Sequence, residues 1–126
     1  MNGIILCLLA VPAVAFAQKV RHTKAARFFD ARVAPILTKR CLGCHNEELK
    51  DGGISFLDRD SLLKGGSRGP ALVPGKPEES ALIHAVRQDG DVKMPPGAKL
   101  SLQDIATLTE WVNRCAPWGT KLRPKR

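Results

Sequence analysis

Cys41, Cys44 and His45 fall within five consecutive residues, "CLGCH", of a chain that holds four cysteines and three histidines in all. No other feature narrows the fold and chemistry so far. Two sulfurs three positions apart, with an imidazole beside the second, suit three chemistries: a metal clamp, a redox dithiol, or a porphyrin held through thioethers with the imidazole facing its iron. Each makes its own demand on the rest of the chain. A structural zinc site needs two further ligands, and Cys115 with His84 or His22 is the set on offer, although these form no second paired knuckle. A thioredoxin-like dithiol expects a βαβ setting. A porphyrin needs both sulfurs on one side of a turn, which residues three and four apart satisfy.

Patterning decides among these settings. Phe28, Phe29, Val33, Ile36 and Leu37 recur at helical spacing before the motif, and Pro35 predicts a kink or a split there. Asp51-Gly52-Gly53 reads as a turn, Asp58 to Lys64 as a short helix closed by Gly65, and Glu78 to Arg87 as a helix with Pro77 in its first turn. Its apolar stripe is Leu82, Ile83 and Val86. A last helix starts at a Ser101 cap with Asp104 in capping-box position and carries Leu102, Ile105, Leu108, Trp111, Val112 and Cys115 on one face. Pro117 and Gly119 stop it. No strand pattern of useful length emerges, so the class is all-α, with loops at 65–77 and 89–99 long enough to wrap something. With four Phe, two Trp and no Tyr, the aromatic supply for a core is thin, which a large apolar cofactor would offset. The stretch from Gly69 to Lys76 misses the phosphate-loop spacing by one residue and has Pro77 where Ser or Thr is needed.

Residues 1–17, "MNGIILCLLAVPAVAFA", are uncharged and apolar and end in Ala15-Phe16-Ala17, the pattern of a cleaved signal peptide, although no Lys or Arg precedes the apolar run. The run is too short for a spanning helix. Export to the periplasm or another extracytoplasmic space is expected. The divisions that follow are a signal peptide at 1–17, a basic N-terminal segment at 18–25, a folded domain at 26–119 and a basic tail at 120–126. Cleavage would remove Cys7 and leave Cys41, Cys44 and Cys115, an odd count for a disulfide framework. In an oxidising compartment a bare Cys-x-x-Cys oxidises unless something else occupies its sulfurs, and thioethers would do so. Cys115 reads as a buried thiol, or else as one half of an intermolecular disulfide. The net charge of +8 gathers at Lys19, Arg21, Lys24 and Arg27 and at Lys121, Arg123, Lys125 and Arg126. No aromatic residues are interleaved for base stacking, so nucleic acid is not expected as a partner; an acidic redox protein or an anionic membrane surface is.

For a haem on Cys41 and Cys44 with His45 as one axial ligand, Met94 is the candidate for the other. It is the one methionine outside the leader, in a stiff Lys93-Met94-Pro95-Pro96 loop that makes a poor core position. His84 competes for that role. Without ligation by Met94 the haem would be five-coordinate, the arrangement of a gas sensor or a peroxidase-like module, and a zinc-binding interaction domain remains the third reading.

With these residues in place the chain resembles a class I c-type cytochrome, and more closely the planctomycete-type cytochrome c domain. The likeness is carried by "FFDARVAPILTKRCLGCH", "GGSRGPALVPGKPEESALIHAV", "KMPPGAKLSLQDIATLTEWV" and "APWG". It implies a small cytochrome c-like fold whose N- and C-terminal helices cross while the loops close on one haem c, bound covalently through Cys41 and Cys44 and ligated by His45 and Met94. It also implies that the Pro70 carbonyl accepts a hydrogen bond from His45 and that Leu72 packs on the haem. The resemblance implies an electron carrier, not an enzyme. Trp111 and Trp118 are candidates for haem contact, with core packing the simpler role for Trp111, and Arg68, Lys76 and Arg87 are unranked candidates for its carboxylates.

Overall fold

The computed structural model describes Cys7, residues 23–46, residues 48–120 and Leu122. The rest of the expected leader, His22 and most of the two basic ends lie outside the described residues. Among the described residues the structure is helical, with two isolated bridges and no strand.

The run before "CLGCH" folds as α1 (Lys24–Phe28), a π-turn (Phe29–Val33) and α2 (Ala34–Arg40). Thr23 caps its start by accepting the Ala26 N–H at 3.1 Å. The interruption expected at Pro35 takes the form of the π-turn. Pro35 has no N–H and its ring crowds the preceding turn, so the backbone widens and the Ala34 N–H donates to Phe29, five residues back. Phe29, Val33 and Leu37 are fully buried by this face.

Asp58 caps α3 (Arg59–Lys64) through the Ser61 N–H at 2.7 Å. Gly65 closes it at φ 71°, where a Cβ would fall on the backbone of Gly69. The next helix starts later than its sequence suggests. Pro77–Glu79 forms a single 3-10 turn, and Ser80 stays extended because its buried hydroxyl is spent on the preceding loop, accepting from Val73 N at 2.9 Å and donating to Lys76 O at 2.9 Å. Helix α4 therefore spans Ala81–Arg87.

Helix α5 (Leu102–Asn113) begins as its cap predicts, with Ser101 Oγ accepting the Asp104 N–H at 3.0 Å. Ile105, Leu108, Trp111 and Val112 are buried, but Leu102 is 82% exposed and does not belong to the buried face; as the first helical residue it sits before the point where α5 meets its neighbours. Phe29 joins the first helix to the last. Its ring lies 5.8 Å from Trp111 and 4.2 Å from Trp118, centroid to centroid. Trp111 also donates its indole N–H to Pro117 O at 2.8 Å, so both tryptophans serve this joint.

Beyond α5 the chain turns through Cys115 and Ala116 at positive φ and is pinned by Arg59, which donates to the carbonyls of Ala116 at 2.8 Å and Cys115 at 3.1 Å. Cys115 is bonded to Cys7, with Gly75 leaving room for the sulfurs. In the uncleaved chain Cys115 is therefore not a free thiol; the two expected roles refer to the chain after the leader is removed. Cleavage after Ala17 would remove the polypeptide that carries Cys7. The buried Asp30 carboxylate accepts the Thr120 N–H at 2.9 Å and so ties the last segment to the first.

Gly119 is packed so tightly against Asp30 that a Cβ there would overlap the carboxylate. Gly119→Ala is expected to cost roughly 1–3 kcal/mol of stability, as overpacking at buried sites does. Denaturant unfolding checks this, and an unchanged midpoint contradicts the contact.

Candidate functional site

Helix α2 ends at Arg40, and the next four residues form a hydrogen-bonded turn in which His45 N–H donates to Cys41 O at 3.1 Å and Cys44 N–H to the same carbonyl at 3.2 Å. The motif is thus a turn on the end of a helix, and it keeps the three- and four-residue spacing that groups its side chains. The Phe56 N–H donates to His45 O at 2.9 Å and brings the Phe56 ring to 5.1 Å from the imidazole.

These side chains face a cavity of about 380 Å³, within the range of small-molecule sites. Cys41, Cys44, His45 and Met94 all line it, although Met94 lies on a loop far along the chain. The Met94 N–H donates to Ala85 O at 2.9 Å, which fixes the loop against α4. Leu82, Ala85 and Val86 furnish much of the apolar wall. The stripe read on this helix therefore divides, with the fully buried Ile83 outside the cavity lining.

Two implied neighbours are placed elsewhere. Leu72 is buried in the core, and its neighbour Ala71 reaches the wall instead. Pro70 is exposed and absent from the wall. His45 Nδ1 is buried with no hydrogen-bond partner among the described residues, so the bond from His45 to Pro70 is not formed. Of the three basic candidates Arg68 alone is on the wall; Lys76 pairs with Glu79 at 3.5 Å and Arg87 with Glu78 at 2.7 Å. Neither tryptophan reaches it. The sequence reading missed Phe56, Leu100 and Arg40, all of which line the cavity. Leu82 and Ala85 at three-residue spacing were a legible signal for the α4 wall, whereas nothing local marks Arg40.

Burial pushes the Cys41 thiol up to about 12, against a smaller opposing effect of Arg40. A dithiol enzyme needs the reverse, a thiol lowered towards neutrality. Of the further ligands a zinc site would need, Cys115 is bonded to Cys7 in the uncleaved chain, His84 meets Glu78 O and Asp89 Oδ1, and His22 lies outside the described residues. Among the described residues no cluster of three or more His, Cys, Asp or Glu side chains is arranged to hold a metal ion. What the wall does offer is two thiols, an imidazole and a thioether around an apolar space, a donor set that fits a haem with N and S ligands.

Short helices around an apolar wall with this donor set are compatible with a c-type cytochrome domain. Residues 41–97, from the first cysteine of the motif to just past Met94, match the family described as Planctomycete cytochrome C, which supports a planctomycete-type cytochrome c domain over this stretch and suggests a haem-binding, electron-transfer role. No curated protein and no solved structure matched the chain.

His84 is turned to its own surroundings. Its Nε2 meets Glu78 O at 2.9 Å and its Nδ1 meets Asp89 Oδ1 at 2.8 Å, so acceptors face both ring nitrogens. The Glu78 carbonyl first and the Asp89 carboxylate second raise its pKa above the ordinary 6.5. Because the folded state binds this proton more tightly, the contribution to stability is complete below the unfolded pKa and is lost as pH rises through the folded one. The stability gap between wild type and His84→Ala is therefore expected to be widest in mild acid and to close on going alkaline. A gap that widens with pH contradicts the arrangement.

Proposed function

We propose that this protein is an exported monohaem c-type cytochrome that carries electrons between partners and is not itself an enzyme. The observation that carries this reading is the convergence of Cys41, Cys44, His45 and Met94 on one apolar cavity. Cys41 and Cys44 would hold one haem c through thioethers, and His45 and Met94 would supply nitrogen and sulfur ligands to its iron. When bound, this group supplies one-electron chemistry by cycling between Fe(II) and Fe(III).

The protein's own contribution is to bind, orient and exclude water. The Met94 thioether is a soft donor, which favours the reduced state and raises the potential relative to a second imidazole. The walls from α4, Phe56 and Leu100 keep the site apolar, acting in the same direction. With both thiols consumed, the motif survives in an oxidising, periplasmic or other extracytoplasmic compartment. Among the described residues no helix is long and apolar enough to cross a membrane. An excess of basic residues suits a redox partner with an acidic docking surface, or peripheral contact with anionic lipid. Nucleic acid is not part of this reading.

Two measurements test it. The oxidised protein, made with haem-maturation machinery, is expected to be red with a weak band at about 700 nm from methionine ligation, and Met94→Ala is expected to lose that band. A band that survives the substitution rules out Met94, and a colourless protein rules out the cytochrome. Electron transfer to an acidic partner is expected to slow as ionic strength rises through the screening range; a flat salt dependence removes the steering.

A further inference from the structure

Arg40 is the last residue of α2 and lines the cavity together with Arg68. The other titratable or charged groups on that wall are Cys41, Cys44, His45 and Asp51, so it carries two guanidiniums against one carboxylate. Arg40 also lines a second, more open cleft together with Lys39 and Asp104. Its Nε is buried and has no hydrogen-bond partner among the described residues, while its Nη2 donates to Lys99 O at 3.4 Å, a long bond. A guanidinium on the wall of an apolar cavity with a buried N–H left over is costly unless an anion meets it. Its planar fork is suited to a carboxylate.

Resting on the cytochrome reading, we infer that Arg40 receives a carboxylate from the edge of the haem and, through Lys99, links that edge to the loop that carries Met94. Arg68 is exposed and supplies the same sign of charge from the opposite loop. Arg40 is then a positioning residue with two attachments, one on the cofactor and one on the backbone just ahead of α5.

The test is the midpoint potential of the holoprotein as a function of pH, for wild type, Arg40→Gln, Arg40→Lys and the exposed control Lys39→Gln. A carboxylate beside a guanidinium has its pKa held down, so removing the partner is expected to move the corresponding inflection to higher pH by about one unit or more. Arg40→Lys keeps the charge without the fork and is expected to shift less, while Lys39→Gln leaves the inflection in place. If Arg40→Gln does not fold, a shift in Arg40→Lys alone supports the pairing and a wild-type profile overturns it. A red Arg40→Gln protein whose profile superimposes on wild type overturns this inference alone; a colourless wild-type protein overturns the cytochrome reading as well.

Discussion

The packing of Phe29, Trp111 and Trp118 into one three-ring cluster is the contact on which the rest of the structure depends. It fixes α1, the π-turn and α2 against α5, and the two ends of that joint govern the site. Helix α2 delivers Cys41 directly from its last residue. At the other end, the loop with Met94 runs into Leu100 and the Ser101 cap of α5, with Leu100 itself buried on the cavity wall. The segments that carry Cys41 and Met94, far apart in sequence, are thus brought together by helices that meet outside the cavity. The Asp30 carboxylate reinforces the joint by holding Thr120 over it.

The chemistry of the wall follows from what this packing leaves facing inward. Most side chains there are apolar, which is why burial raises the pKa of the Cys41 thiol and why a polar atom such as His45 Nδ1 stands out. A small domain with few aromatic residues gains cohesion when such a wall closes on a large apolar group. Core and cavity are then coupled, because Leu82 and Val86 belong at once to the buried core and to the cavity wall.

Much of this was legible locally. The Ser101 and Asp58 caps, the closing Gly65 and the helical spacing before Cys41 all act within one or two turns, so sequence alone reveals them. Other features depend on distant partners. Ser80 delays α4 because its hydroxyl serves the loop at Val73, and Leu102 is exposed because α5 begins beyond the core. Pro70 and Leu72 were placed by resemblance, and the loop runs in a register that turns Ala71 to the cavity instead. Arg40 could be recognised only once the loop at Lys99 and the cavity were seen together. The Cys7–Cys115 bond spans nearly the whole chain and conflicts with the leader pattern around Cys7, so no local rule could supply it.

The central claim is that Cys41 and Cys44 hold one haem covalently. The most direct test is the intact mass of the denatured, exported protein, combined with alkylation of its thiols. The account predicts a polypeptide heavier by one haem, with both motif cysteines unreactive to alkylation. A mass equal to the polypeptide alone, with Cys41 and Cys44 both alkylated, would contradict it.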